Sequence, residues 1–280
     1  MKVVPYPALS AKGMKQSEAF LQCQSCKKIL FSIDFDQNLR VCTYCGQHHR
    51  ISAETRIKWT FDEDSFEELD LDLRSGNPLD FPDYVDKLRA AEDKTKKFDS
   101  MTTGRAKLSE MPVSIAIADF SFMGGSMGSV NGEKVTRALE RGVKEKCPVI
   151  IFCASGGARM QEGLLSLMQM AKTTAAVQQC REAGVPYIAV FTDPTMAGVL
   201  ASYASVADVI IAEPRALVGF AGARVSKQAG VSKVPDDFQT AEFCLKHGMI
   251  DTIVARKDMR SVLISLVRTL GGHLYDGGSK

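Results

Sequence analysis

The run Ser155–Gly163 (SGGARMQEG) places two glycines, an arginine and a glutamate within a few residues of one another. Apolar residues at 148–154 precede it and predict a buried strand, and a helical pattern follows at 164–179. Glycines let the chain turn sharply and let another molecule approach the backbone. The first N–H groups of a helix have no partner inside it and carry the positive end of its dipole. The segment is therefore typical of a site for a phosphate or a developing oxyanion, with a plain tight turn as the alternative.

A second constellation consists of cysteines with metal-ligand spacing. Two C-x-x-C pairs, separated by fifteen residues, predict a closed zinc ribbon whose role is structural or for interaction. Its ligands would be Cys23, Cys26, Cys42 and Cys45. Short strands are expected at 29–33 and 39–41, around a turn at 36–38. Because four thiolates satisfy the metal, we expect the following His48 and His49 to be surface residues.

Three further glycine-rich turns lie between apolar runs and helical patterns, at 122–130, 194–198 and 218–224. Together with the first they suggest a site built from main-chain groups. The sequence has no Walker A motif, no G-x-G-x-x-G after a first strand and no G-x-S-x-G elbow. Residues 112–226 contain no histidine that could serve a serine or cysteine nucleophile. A mechanism that relies on backbone donors fits what is left.

The elements that must position these turns follow from periodicity. Residues 51–105 are expected to be mostly helical, with a break at 75–78 and a helix at 84–97. From residue 112 onward, apolar runs alternate with helical patterns, which predicts an α/β fold with strands buried on both faces. The predicted strands are 113–119, 149–153, 187–192, 209–212 and 250–254. The predicted helices are 133–146, 164–183, 198–205, 223–228, 240–247 and 259–270.

The composition of the chain limits the class of protein to which it can belong. The chain has 280 residues, 45% hydrophobic and 24% charged, enough for one large core and a small extra module. Residues 1–60 carry nine Lys/Arg against four Asp/Glu, a weak signal for nucleic acid. The start of the chain has no apolar signal-peptide run, and no stretch of about 18 apolar residues occurs. We expect a cytoplasmic protein with a flexible tail at 1–18.

These motifs together resemble a known family. The turn at 155–163, the segment AEPR at 212–215, the turn VGFAG at 218–222 and the cysteine pairs are similar to the β subunit of bacterial and plastid acetyl-CoA carboxylase carboxyltransferase. The resemblance covers about residues 20–265. It implies a crotonase-like spiral of ββα units at 51–280, behind a zinc ribbon at 19–50.

The resemblance also implies the chemistry. The family moves a carboxyl group from carboxybiotin, held on a carrier protein, to acetyl-CoA, and so forms malonyl-CoA for fatty acid synthesis. The backbone N–H groups of Ala158 and Gly198, beside Gly157, would hold the thioester oxygen as its enolate forms. The biotin oxygen released with CO2 would act as the base, which explains why the chain shows no evident catalytic histidine or glutamate.

Substrate contacts and partners follow by the same resemblance. The residues expected to contact CoA are Gly125, Ser126, Met127, Gly128, Arg159, Gly219, Phe220 and Gly222. For Arg159 and Glu162, an ion pair at the start of the helix is the alternative. The expected partners are a carboxyltransferase α subunit in an α2β2 assembly, a biotin carboxyl carrier protein and biotin carboxylase, with no membrane contact.

The chain departs from the family pattern near the site. Ala197 stands where the family commonly has glycine, Leu200 replaces a usual serine, and 224–233 differs in sequence. These departures leave a specialised paralogue open, or a related biotin-dependent carboxyltransferase or decarboxylase acting on another acyl group. A second activity is also open for the ribbon, which could bind RNA or DNA; the alternative is a lid over the site or a wall against the α subunit.

Overall fold

The computed structural model describes residues 19–221 and 235–275, and the chain divides into two compact units, 1–50 and 51–280. The tail expected at 1–18 and the helix expected at 223–228 lie outside the described residues. Each unit has its own hydrophobic core.

The first unit is built around the cysteines. Strand β1 (Phe20–Gln22) pairs antiparallel with β2 (Ile29–Phe31), and helix α1 (Ser32–Gln37) follows at once. The prediction of strands at 29–33 and 39–41 is therefore wrong, because β2 ends early and the second segment contributes only one bridge, from Val41 to His48. The helix turns Phe35 inward against the buried cysteines, which a strand here would not do.

The second unit begins with helix α2 (Ala53–Thr60), capped by the Ser52 hydroxyl, which accepts from the Thr55 N–H at 3.2 Å. Strand β3 (Glu67–Leu69), helix α3 (Tyr84–Thr95) and strand β4 (Met101–Leu108) follow. The expectation that 51–105 is mostly helical is wrong for the two strands. The predicted helix at 84–97 is present and ends two residues early.

A mixed sheet of eight described strands forms the centre of this unit. After β4 come β5 (Met111–Ala118), β6 (Val149–Ser155), β7 (Tyr187–Met196), β8 (Val209–Ala212), β9 (Val218–Gly219) and β10 (Thr252–Ile253). The order is β10-β8-β7-β6-β5-β4-β3, and β9 pairs with the end of β7. Pairing is parallel from β5 to β10 and antiparallel from β3 to β5.

Helices cover both faces of the sheet. They are α4 (Ser129–Glu145), α5 (Gly163–Glu182), α6 (Ala197–Leu200), α7 (Ala241–Lys246) and α8 (Arg256–Tyr275). Along β6, Ile151 belongs to the same core as Leu139 of α4, whereas its neighbour Ile150 joins Leu263 of α8 on the other side. Burial on both faces explains why the strands read as apolar runs. Because β6 and β7 are parallel, the loops that leave them emerge at one edge.

Candidate active site

The loop after β6 is held open by a short pairing with the turn before α4. The Met127 N–H donates to the Gly157 carbonyl at 2.9 Å, and the Arg159 N–H donates to the Met127 carbonyl at 2.9 Å. Between these bonds, Ala158 directs its own N–H away from Met127. No acceptor for this N–H occurs among the residues that the structure describes. The loop therefore presents one free backbone donor.

Helix α5 begins only at Gly163, after a 3-10 turn at Met160–Glu162. Ala158 therefore lies before the first turn of the helix, as the predicted helix at 164–183 implies. Gly157, directly before the donor, has φ +127°, a conformation that glycine adopts at no steric cost. The donor therefore belongs to the loop and not to the helix.

The loop after β7 presents a second donor. Gly198 is the second residue of α6, and its N–H has no acceptor within the described part of the chain. A side chain at Gly198 would lie 3.3 Å from the Met170 sulfur and 3.6 Å from the Met127 methyl. Two methionines thus form an apolar wall beside this N–H.

The two loops are in contact. Ser155 and Thr195 are register partners of β6 and β7, and the Thr195 hydroxyl donates to the Cys153 carbonyl at 3.2 Å. A Cβ on Gly157 would lie 2.9 Å from the Cβ of Ala197. The residues that precede the two donors are therefore close, so Ala158 and Gly198 lie on adjoining loops.

The glycine-rich turn at 122–130 packs against the loop that follows β6. Gly125 has φ +63°, and a Cβ there would lie 2.0 Å from the Ala154 carbonyl oxygen, so no other residue fits. The Gly156 N–H donates to the Gly124 carbonyl at 2.9 Å. Of the residues expected to contact CoA in this turn, Gly125, Met127 and Gly128 are buried, and Ser126 is partly exposed.

The fourth turn begins where β9 ends. Gly219 pairs with Met196 and is buried, whereas the next residue, Phe220, is 65% exposed. Gly222 lies outside the described residues. Because β9 pairs in parallel with the last two residues of β7, the segments that follow the two strands leave the sheet at the same edge.

Arg159 is 0% exposed, and its guanidinium donates hydrogen bonds to other groups of the protein. It donates to Asp99 at 2.8 Å, to the Ser126 carbonyl at 2.8 Å and to the Ser75 hydroxyl at 3.0 Å. The Glu162 carboxylate lies 3.5 Å away. These contacts link the loop at 155–163 to the turn at 122–130. They also keep the guanidinium away from any ligand. The contacts favour the ion-pair alternative over the expected contact with CoA.

Glu162 completes this buried network. Its carboxylate accepts from the Tyr84 hydroxyl at 2.6 Å and from the Ser129 N–H at 2.5 Å. Burial by itself raises the pKa of Glu162, but these two hydrogen bonds and Arg159 outweigh it and lower the pKa. Burial, together with the bond to Glu162, raises the pKa of Tyr84 to about 12. The glutamate is thus an ionised structural anchor for the 3-10 turn.

The cysteines of the first unit form a metal-binding geometry. The four Sγ atoms lie within 4.8 Å of one another, and the pairs Cys23–Cys45 and Cys26–Cys42 are each separated by 3.8 Å. Four sulfurs at about 2.3 Å from a tetrahedral zinc would be about 3.8 Å apart. All four cysteines are free thiols. The set therefore fits zinc held by thiolates alone.

The expectation that both histidines after the last ligand are surface residues is wrong for His48, whereas His49 is partly exposed. His48 is buried, and its Nδ1 lies 3.2 Å from the Gly46 carbonyl. His49 places Nε2 at 3.4 Å from the Cys23 sulfur, and its ring meets Phe35 edge-on. The backbone bond from His49 to Arg40 fixes this ring beside the ligand. His49 thus contacts a sulfur of the set whose four thiolates would hold a metal.

The similarity to known proteins covers both units. A family described as a carboxyl transferase domain matches residues 49–265, and one described as an acetyl-CoA carboxylase zinc finger domain matches residues 20–45. A Clostridium botulinum (strain Kyoto) protein named acetyl-coenzyme A carboxylase carboxyl transferase subunit beta is 51% identical over 248 residues. The match covers 89% of this chain and 86% of that protein. The chain belongs to this β-subunit family.

Other similar proteins include a fused beta/alpha chain and two solved structures. A Natranaerobius thermophilus protein named subunits beta/alpha is 49% identical over 247 residues, and the match spans 41% of its length. The solved transcarboxylase 12S with bound hydrolyzed methylmalonyl-coenzyme A has a TM-score of 0.66 at 28% identity, covering 78% of this chain and 41% of that one. A Pseudomonas malonate decarboxylase hetero-tetramer has the same fold, with a TM-score of 0.66 at 22% identity, over 78% and 82% of the two chains.

These findings confirm the predicted carboxyltransferase function and the crotonase-like α/β fold with an N-terminal four-cysteine zinc ribbon. No helix in the described ranges 19–221 and 235–275 has the length and apolar character to cross a bilayer.

The residues that the sequence did not reveal in this β-subunit chain are those that hold the loops. Ser75, Tyr84 and Asp99 lie in a region without a recognisable motif, yet all three bind Arg159 or Glu162. The one available signal was the pair of charges within the first motif. A buried arginine requires a carboxylate partner, but the sequence does not say which.

The segment AEPR contributes a second buried cluster of charges. The Glu213 carboxylate receives the guanidinium of Arg56 at 2.8 Å and that of Arg256 at 2.7 Å. Burial raises the pKa of Glu213, but the two arginines lower it well below the usual range. Glu213 thus joins α2 and α8 to the end of β8, close to the strands that carry the site.

Proposed function

We propose that this chain binds the acyl thioester and stabilises its enolate between the N–H groups of Ala158 and Gly198. The observation that carries the proposal is the pair of backbone donors without acceptors among the described residues, on two adjoining loops at one sheet edge. In this account, acetyl-CoA is the substrate and malonyl-CoA the product.

The difficult step is the removal of a proton from the acetyl methyl, because the resulting carbanion is unstable. As the C–H bond breaks, charge moves to the thioester oxygen, where the two N–H groups bind it more strongly than the neutral carbonyl. One such donor contributes about 3–4 kcal/mol to catalysis. The enolate carbon then forms a bond to CO2, and the thioester carbonyl is restored.

In this account, the buried carboxylates of Glu162 and Glu213 do not supply the proton acceptor. The oxygens of Glu162 are bound by Tyr84 and Ser129, and those of Glu213 by two arginines. Carboxybiotin, when bound, supplies CO2 together with an oxygen that can take up the proton. The task of this chain is therefore to position the thioester and to stabilise the charge on its oxygen.

For the rest of CoA we propose the loops of Ser126 and Phe220. Ser126 is partly exposed beside the first donor loop, and Phe220 offers an exposed ring next to the end of β7. The buried Gly125, Met127, Gly128 and Gly219 shape these loops from behind. Arg159 is left out of the set because its guanidinium is bound internally.

The assembly is part of the proposal. We expect an α subunit to supply the biotin side of the site in an α2β2 assembly, together with a biotin carboxyl carrier protein and biotin carboxylase. The fused beta/alpha relative and the malonate decarboxylase hetero-tetramer support a partner of this kind. Zinc in the four-cysteine site and a cytoplasmic location complete the account.

Replacing Ala158 with proline tests the proposal, because proline removes this N–H. We expect kcat for malonyl-CoA formation to fall by about 10²–10³-fold. Ala158→Ser, which keeps the N–H, is the matched control and should retain most of the activity. Fluorescence of the single tryptophan, Trp59, monitors folding of the second unit. Near-normal turnover in a folded Ala158→Pro protein would sink the assignment.

Nucleic-acid binding by the ribbon is a second candidate. Phe20, Phe31 and Tyr44 are exposed there, and the Lys28 ammonium lies 4.6 Å from the centre of the Tyr44 ring. Exposed aromatic rings beside lysines are suited to stacking on single-stranded bases. Gel shifts with single-stranded RNA should then weaken steeply with salt and with Tyr44→Ala. Equal binding by the variant would contradict this role.

A further inference from the structure

Ala197 adopts a backbone conformation that is unfavourable for alanine. Its φ is +51°, in the left-handed region, where a Cβ collides with the following carbonyl. Strain of this kind persists where the surrounding structure enforces it, and it is concentrated at functional sites. The residue lies at the start of α6, directly before the proposed donor Gly198.

The methyl group of Ala197 lies between the two donor loops. A Cβ on Gly157 would come within 2.9 Å of it, so the methyl faces the backbone that precedes the other donor, Ala158. Ala197 is partly exposed, whereas the residues around it from Thr195 to Leu200 are otherwise buried. Met127 and Met170 close the space on the side of Gly198. The methyl therefore protrudes into the opening between the loops.

We propose that the Ala197 methyl determines acyl-chain specificity by excluding groups larger than acetyl. The inference rests on the proposed oxyanion site. An oxygen bound by both donors holds its acyl carbon next to the residues before those donors, which are Gly157 and Ala197. Since glycine has no side chain, Ala197 is the one of these two residues whose side chain can meet the acyl group. An added methylene on the substrate must then share that space.

The test is Ala197→Gly, with acetyl-CoA and propionyl-CoA compared in the carboxyltransferase purified with its partner subunit and supplied with carboxylated biotin carrier. We expect the ratio of kcat/KM for propionyl-CoA to that for acetyl-CoA to rise by about 10-fold or more, the usual effect of one methylene in a tight pocket. Glycine suits φ +51°, so the variant should fold. Its unfolding temperature should equal or exceed that of the wild-type protein.

Ala201→Gly is the matched control, because Ala201 is exposed at the end of α6 with a negative φ. The control should keep the wild-type ratio, which separates the missing methyl from the added backbone freedom. An unchanged ratio in Ala197→Gly, or the same rise in Ala201→Gly, overturns the specificity role. Ala158→Pro distinguishes the two proposals: if it is inactive while Ala197→Gly keeps the ratio, only the specificity inference fails.

Discussion

Two buried tyrosines allow the network behind the site to be tested with one chemical change. Tyr84 and Tyr187 are both almost fully buried, at 1% and 0% exposure. The Tyr84 hydroxyl donates to the Glu162 carboxylate at 2.6 Å, whereas within the described residues the Tyr187 hydroxyl has no hydrogen-bond partner. Replacing each with phenylalanine removes the same oxygen atom from two opposite environments.

The two substitutions should have different effects on the free energy of unfolding. A hydrogen bond to a charged group contributes about 1.5–3 kcal/mol, so Tyr84→Phe should lower the free energy of unfolding by about 2 kcal/mol. Tyr187→Phe removes a buried hydroxyl that lost its water without gaining a partner, so its effect should be close to zero or stabilising by about 1 kcal/mol. The two variants should differ by about 2–4 kcal/mol.

Urea unfolding followed by the fluorescence of Trp59 measures this difference in the second unit. The denaturant slope should be the same in both variants, so that the midpoints report stability alone. Tyr84→Phe should also slow carboxyl transfer, because Glu162 ends the 3-10 turn that follows the Ala158 loop. Two variants within about 0.5 kcal/mol of each other, a difference of about twofold in the unfolding constant, would refute the reasoning.

Three further outcomes are expected. Glu213→Gln should cost about 3–5 kcal/mol, since two buried arginines lose their counter-charge. Because the pKa of Glu213 is lowered on folding, its contribution is present above the ordinary carboxyl range and is lost as pH falls through the lowered value, as acid unfolding will show. His49→Ala should weaken zinc binding about 10-fold in chelator competition, through loss of the contact to Cys23, and equal affinities would contradict this. Gly125→Ala should prevent stable folding of the second unit, whereas Gly76→Ala, with open space at the Cβ, should be tolerated in the same unfolding assay.

The central strands could be predicted from sequence because their residues are buried on both faces. β6 and β7 read as apolar runs, and both begin at the predicted residue. β4 could not be found in this way, because Met101–Leu108 contains Arg105 and Lys107 and is a strand through its pairing with β3 and β5. In the ribbon, residues 33–36 alternate between apolar and acidic, and packing against the cysteines favours a helix there.

The candidate site was predictable where it depends on local backbone and not where it depends on distant partners. The glycines at 155–163 mark the first loop, and the small residues at 194–198 mark the second. The orientation of the Ala158 N–H could not be predicted, since it follows from the pairing of this loop with Met127. The role of Arg159 could not be predicted either, since Asp99 lies far earlier in the chain and nothing in its neighbourhood indicates burial.

The anchors of the Ala158 loop have a consequence for how the molecule is made. Ser75, Tyr84 and Asp99 precede the loop in the chain and hold Arg159 and Glu162 from outside it. Synthesis runs from the amino terminus, so these groups leave the ribosome first and are available when the loop emerges. A fragment that began at β5 would contain both backbone donors and still lack the residues that fix one of them. Residues 75–99 thus hold the loop in place, although neither of the two proposed donors comes from them.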